Sequence, residues 1–340
     1  MFKYILKRIL LMIPTLFGIS LFCFVIINMA PGGPIERIIQ QMKFAGAAGG
    51  GGGGGSQVGV SEEVIEALKK QYGFDKPILV RYGIWVKNMV TLDFGDSFTY
   101  QEPVVDVIMQ RFPVSLQFGL ISLLLVYLIC IPLGIFKAVR DGSPFDNATS
   151  MVLFVMYSIP TVMMAILLIV FFAGSSFLDW FPIGELYSDG YEYKSFFGKV
   201  VDRAHHFILP LICYMLHSFS ALTFLMKNSF LDQVKLDYVR TARAKGLDEH
   251  TVLYKHTLRN ALIPIVTGLN SFLLVMFNGS IIIEQIFQLD GIGLLTFRAV
   301  LDGDYNVLMA LIFIPAVLLL IGRLLTDIAY TFVDPRIDFK

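Results

Sequence analysis

Apolar residues run through this chain in long unbroken stretches, not in the alternating or one-faced patterns of water-soluble strands and helices. Six stretches reach the roughly 20 residues that a helix rising about 1.5 Å per residue needs to cross about 30 Å of hydrocarbon. They cover approximately Ile9 to Ala30, Phe112 to Phe136, Asn147 to Gly174, Phe207 to Met226, Ala261 to Ile283 and Tyr305 to Tyr330. The pattern predicts an all-α membrane protein with six transmembrane helices. Arg323 and Asp327 interrupt the last stretch. Their separation by four residues lets them pair on one helical face while the arginine reaches the interface. Pro14, Pro132, Pro160, Pro210, Pro264 and Pro315 lie inside the spans. Each removes a backbone donor, and reads either as a static kink shaping the bundle or as a hinge.

Between the spans the chain divides into residues 1–30, a cytoplasmic N-terminus and first helix; 31–111, an external segment; 112–330, a core of five helices with a loop at 227–260; and 331–340, a tail. The first span follows Lys3, Lys7 and Arg8, but is longer than the usual signal-peptide core of about 7 to 15 residues and lacks a small-residue cleavage site, so it reads as a retained anchor. Ala45 to Ser56 is mostly glycine, the composition of a flexible linker. Beyond it, Ser61-Glu62-Glu63, the apolar Val64, Ile65 and Leu68, and Gly73 predict a short capped helix in a small external subdomain.

Composition agrees with the bilayer as solvent: 56% of residues are hydrophobic and 16% charged, with a mean hydropathy of +0.69. The 27 basic and 27 acidic residues cancel, so there is no global field for nucleic acid. Their placement is informative. Leaving out the long segment Pro31 to Arg111, a cytoplasmic N-terminus puts fifteen Lys and Arg inside, including Lys137, Arg140, Lys227 and Arg240, and only Lys194, Lys199, Arg203 and Arg298 in the outer loops. Both termini are therefore predicted cytoplasmic. Cys23, Cys130 and Cys213 sit in apolar runs, as buried small side chains and not as a disulfide or metal framework. No metal site is predicted, since adjacent His205 and His206 diverge on a helix and no spaced ligand completes a set. Asp302 and Asp304 are assigned to a short outer loop, without the arrangement of a paired-acid mechanism.

Polar groups at membrane depth are costly and face protein interiors or aqueous paths. His217, Asn270, Asn278 and Glu284 are the candidates for a translocation path. His217 reads alternatively as a neutral imidazole satisfied by a neighbouring helix, and the asparagines as interhelical hydrogen-bonding groups.

The loop between the fourth and fifth spans is the informative segment. It contains Asp237-Tyr238-Val239-Arg240-Thr241-Ala242-Arg243-Ala244-Lys245-Gly246, then Leu247 to Asn260 and Pro264. Ala242, Ala244 and their straight-chain basic neighbours favour a helix, and Gly246 is a natural stop. A second helix is expected through Val252, Leu253 and His256. On charge alone this is also what a solvated positive-inside loop looks like. The helix, glycine and downstream proline resemble the cytoplasmic loop of type I ABC importer permeases, whose pattern is Glu-Ala-Ala, three residues, Gly, and later an apolar-Pro pair. Arg240, Thr241 and Ala242 occupy the Glu-Ala-Ala positions, so only the second alanine is kept. The form Arg-Thr-Ala-Arg-Ala-Lys-Gly, with His256 to Pro264, resembles the dipeptide and oligopeptide branch. So do Ala30-Pro31-Gly32-Gly33-Pro34, Tyr72 to Pro77, Asp93-Phe94-Gly95-Asp96-Ser97, Ile131 to Gly134, Ser158-Ile159-Pro160, Lys227-Asn228-Ser229 and Asp334-Pro335-Arg336. The glycine-rich insert and the ending Arg336 to Phe339 look most like permeases of microcin C type oligopeptide importers.

The resemblance implies that Arg240, Thr241, Ala242, Arg243, Ala244, Lys245 and Gly246 form a coupling helix seated in a cleft of a separate ATPase. It implies a second homologous permease, a periplasmic solute-binding protein, a peptide or peptide-like substrate and a bacterial inner membrane. The chain has no G-x-x-x-x-G-K-[ST] phosphate loop. It is expected to be no enzyme and to hold no cofactor, with ATP and Mg bound by the ATPase partners. Two other classes are disfavoured. An ion-driven secondary transporter would show inverted repeats and a mid-membrane carboxylate, and an intramembrane enzyme would show a nucleophile and base or metal-ligand spacing.

Overall fold

The computed structural model describes residues 2–29, 76–173, 177–268, 277 and 279–333. The glycine-rich stretch, the helix expected after Ser61 and the tail from Asp334 lie outside the described residues. So do Asn270 and Asn278. The regular secondary structure of the described residues is all helical, apart from one isolated bridge between Asp96 and Pro103. The chain divides into two compact units, the described parts of Met1–Gln110 with Thr296–Val317, and of Arg111–Leu295 with Leu318–Asp338.

In the first unit α1 (Phe2–Met29) packs against α2 (Ile78–Val90). Tyr82 of α2 meets the Ser20 hydroxyl at 2.8 Å and stands edge-on to Phe17 and Phe24. This satisfies a hydroxyl within an apolar helix beside the buried ring of Phe24. The same unit contains the start of α10 (Tyr305–Val333). Its cap is Asp304, which is buried and accepts from Val307 N at 3.3 Å through one oxygen and from the Ser97 hydroxyl and Thr99 N through the other. The acid assigned to a short loop thus fastens Asp93 to Ser97 to a helix start, where the dipole favours its charge.

The second unit is organised by α3 (Val104–Val139) and α6 (Phe196–Val234), with α4 (Pro144–Ser158) and α5 (Thr161–Phe172) between them in sequence. At 36 and 39 residues, α3 and α6 are about 54 and 58 Å long, well beyond the hydrocarbon thickness of about 30 Å. The sequence-based spans Phe112 to Phe136 and Phe207 to Met226 mark only their apolar centres. Phe118, Phe207 and Tyr214 stack where the two helices meet, with centroids 4.3 Å apart for Phe118 and Phe207. A β-carbon at Gly134 would lie 2.7 Å from Met226 Cβ and 2.9 Å from the Thr223 carbonyl, so glycine permits the close crossing of α3 and α6. Next to this crossing Lys137 is fully buried. It donates to the Asp146 carbonyl at 2.9 Å, to the Thr149 and Ser150 hydroxyls, and pairs with the Asp146 carboxylate at 3.0 Å. Lys227 of α6 takes the other Asp146 oxygen at 2.7 Å and Asp141 at 2.8 Å. Two charges of each sign therefore neutralise one another where α3, α4 and α6 converge.

One expectation about the spans needs correction and another is not confirmed. The stretch Asn147 to Gly174 is not one straight helix: α4 and α5 meet at 97°. Ile159 is extended, at φ −80° and ψ 121°. A residue before proline is pushed out of the helical region by the proline ring, and Pro160 has no N–H to continue the ladder. The count of six transmembrane helices is not confirmed. Among the described residues four helices are long and apolar enough to cross a membrane, five if the bent pair is one span. The stretch Ala261 to Ile283 contributes the short helices Ile263–Thr267 and α8 (Ile281–Ile286), with residues 269–276 and 278 outside the described set.

Replacing Gly134 with alanine forces α3 and α6 apart at their closest point. The expected result is a loss of about 1–3 kcal/mol, seen as a lower thermal unfolding midpoint of the purified protein, with Gly18→Ala, where nothing lies within 4 Å, as the neutral control.

Candidate functional site

The segment singled out in the sequence forms α7 (Asp237–Ala244), beginning three residues before Arg240. Asp237 lies in its first turn and Arg243 in its last, both favourable to the helix dipole. The helix has two distinct faces. Val239 and Ala242, three apart, are buried against Val252 of the following segment. Tyr238, Arg240, Thr241, Arg243, Ala244 and Lys245 are exposed.

Gly246 closes α7 with φ +78°, a conformation costing an L side chain about 1–2 kcal/mol. Gly246 N donates to the Arg243 carbonyl at 2.9 Å and Leu247 N to the Ala242 carbonyl at 3.4 Å. This is the Schellman pair that satisfies the last orphan carbonyls of a helix. Asp248 then caps the next turn, accepting from Thr251 N at 2.9 Å. The Arg243 guanidinium reaches back across the turn as a fork to Glu249, at 2.6 and 3.1 Å. Arg243 holds the Glu249 carboxyl below its ordinary value. Donation from the Thr251 side chain and N–H does the same for Asp248.

The segment after the turn is anchored to the long helices. Val252–Thr257 is a π-helical stretch, and the buried Thr257 hydroxyl donates to the Val252 carbonyl at 3.0 Å, occupying an acceptor that the wider winding displaces. Ser229 of α6 donates to the Ala261 carbonyl at 2.7 Å. Ile135 and Ala138 of α3, Met226 and Phe230 of α6, and Ala261 and Ile265 form one buried apolar cluster. The surface of α7 is thus rigidly continuous with α3 and α6.

The other candidates are not brought together. His217 on α6 is exposed. Its Nδ1 lies 3.2 Å from the Thr161 hydroxyl and its ring packs edge-on to Tyr157, so it spans the break between α4 and α5. Glu284 is fully buried. His205 and His206 turn to different partners, the Trp180 carbonyl and the Ser188 hydroxyl. The Asp248-x-x-Thr251 cap was legible as a helix-start signature. The Arg243–Glu249 fork was not, because the two residues lie on separate helices joined by a left-handed turn and match no helical spacing.

Two outcomes are expected from hydrogen exchange. Gly246→Ala adds no clash, since nothing lies within 4 Å of a β-carbon there, but lowers protection of the α7 amides through backbone strain of about 1–2 kcal/mol. The Arg243–Glu249 contribution is full above the ordinary glutamate value of 4.5 and is lost as pH falls through the depressed folded value. Protection across 237–251 should therefore weaken under acid in the wild type, and be weak already at neutral pH in Glu249→Gln.

Comparison with known proteins places this geometry. Residues 130–339 match the family described as binding-protein-dependent transport system inner membrane component. The chain is 43% identical to the peptidoglycan transport system permease protein YejB of Agrobacterium fabrum, over 99% of this chain and 98% of that one. It is 36% identical to the oligopeptide transport system permease protein AppB of Bacillus subtilis, over the whole of both. A chain of the inward-facing MetNI methionine ABC transporter superposes with a TM-score of 0.50 at 16% identity, covering 68% of this chain and 97% of that one, a likeness of fold. The charged helix closed by Gly246 therefore sits in a chain that belongs to the binding-protein-dependent transport system inner membrane components, in the branch of type I ABC peptide importer permeases.

Proposed function

We propose that this chain is one of two permease subunits that form the translocation path of an ABC peptide importer in a bacterial inner membrane, with both of its termini in the cytoplasm. The observation that carries the reading is α7. It is a short helix with an exposed face of Arg240, Arg243, Lys245 and Tyr238, fixed at its far side to Val252 and through the Ala261 cluster to α3 and α6. Such a surface fits an acidic cleft on a separate ATPase, which binds ATP and Mg. Closure of the ATPase pair displaces α7, and close-packed helices transmit that displacement as rigid-body motion.

An external binding protein delivers the substrate, and the segments 31–111 and 284–304 receive it. The names of the relatives, peptidoglycan transport and oligopeptide transport, support peptides or peptide-like solutes as the substrate class. His217, exposed beside the break between α4 and α5, is the described side chain best placed to border the path.

The test is transport-coupled ATP hydrolysis by the complete complex in liposomes. The comparison variant combines Gly246→Pro with Ala242→Asp. Proline fixes φ near −65° where the chain requires +78°, and the aspartate places a charge in the buried contact with Val252. The variant should assemble but lose both substrate-stimulated hydrolysis and uptake. Uptake that persists without the ATPase subunits overturns the reading in favour of a gradient-driven carrier.

A further inference from the structure

Residues 287–291, between α8 and α9 (Ile292–Asp302), form a turn that, together with the first turn of α9, is buried apart from the exposed Gln288 and Asp290. Phe287, Leu289, Ile292, Leu294 and Leu295 are each at most 3% exposed. A buried non-helical backbone must find partners for its peptide groups. Here Ser280 N, just before α8, and Leu294 N, in the first turn of α9, reach the Glu284 side chain, while the Phe287, Leu289 and Gly291 N–H groups are taken by backbone carbonyls. One carboxylate oxygen accepts from the Ser115 hydroxyl of α3 at 2.8 Å, the Tyr214 hydroxyl of α6 at 3.0 Å and Ser280 N at 3.2 Å. The other accepts from Leu294 N at 2.9 Å. Ser115 in turn accepts from Ile292 N at 2.7 Å. β-Carbons at Gly279 and Gly291 would collide with the carboxylate, and one at Gly293 with the Ser280 backbone. The turn is built around this acid, which is closed to any solute.

The helices it grips are the same two that meet the cytoplasmic side. Ser115 lies toward one end of α3 and Tyr214 near the middle of α6. Ile135 and Ala138, toward the other end of α3, and Met226 and Phe230, toward the C-terminal end of α6, pack on the segment following α7. Ser115 and Ile135 are separated by about 30 Å of continuous helix.

We propose that Glu284 is a positioning residue for import. It fastens the segment 279–295 to α3 and α6, so that docking of the binding protein on the outer face moves the helices that α7 addresses from the cytoplasm. This rests on the importer reading above, and deepens it by naming the outer counterpart of α7. The link is physical: a packed and hydrogen-bonded element joined to two rigid helices, each reaching both sites.

The test uses the complete complex in liposomes with Glu284→Gln, Ser115→Ala and Tyr214→Phe, measuring hydrolysis with and without binding protein, binding-protein affinity, and uptake. Glutamine keeps the shape but replaces one acceptor oxygen with a donor facing donors. For Glu284→Gln, stimulation by binding protein and uptake should fall about tenfold, and by about threefold in each hydroxyl variant. Basal hydrolysis and binding-protein affinity should stay at wild-type values, because the acid touches neither partner. Wild-type stimulation in Glu284→Gln overturns the proposal. So does a parallel loss of assembly, basal hydrolysis and uptake across all three variants, which would make the acid a stability element only. If the wild-type complex shows no stimulation at all, the importer reading itself fails, an outcome distinct from a defect confined to the variants.

Discussion

Where a chain turns between helices largely out of water, the N–H groups that the backbone does not satisfy need other acceptors, and around residues 279–295 the Glu284 carboxylate supplies them for Ser280 and Leu294. Backbone groups left unpaired in such a place cost several kcal/mol each. One side chain with two acceptor oxygens answers the Ser280 and Leu294 amides, and reaches Ile292 through Ser115. The cost of burying the acid is offset by four donors, two of them hydroxyls from different long helices. Three glycines follow as a consequence, since any β-carbon at 279, 291 or 293 occupies the space that the carboxylate or the turn requires.

The second unit handles a buried lysine in the same way. Lys137 is as deeply buried as Glu284, and has every donor directed at an oxygen of α4. Asp146 balances it and Lys227 together. In each case a charge is retained inside an apolar bundle because it joins three helices at one point. Hydrophobic contact between similar apolar faces does not specify register, whereas a fully hydrogen-bonded group fits at a single position. The result is a pair of long helices, α3 and α6, each joined to its neighbours by buried polar groups at two points along its length. The 97° break between α4 and α5 is bridged by His217, with a hydrogen bond on one side and a ring contact on the other.

Much of this was legible in the letters. Hydropathy located α1, α3, α6 and α10 because a long apolar run has no other stable solvent than lipid or a helical bundle. The composition of 237–246 announced a basic helix and its glycine stop, and the φ of +78° at Gly246 is the reason that stop must be glycine. The proline at 160 announced a perturbation, but its size was not readable. A residue preceding proline can be held near-helical in a kink or swing fully extended, and the neighbours of Ile159 decide between them.

The sequence by itself determined the solvent, the main helices, the distribution of charge along the chain and the chemistry of the α7 surface, because each depends on residue type and local spacing. Tertiary structure alone decided the role of the polar residues. Glu284 read as a candidate for a path, and only the fold shows it buried and held by Ser115, 169 positions earlier, and Tyr214, 70 positions earlier. Asp304 read as a loop acid and is a cap tied to Ser97, 207 positions away. Local pattern carries no information about which distant donor a buried acceptor will meet, and hydrogen bonds act only over the few ångströms that folding alone creates.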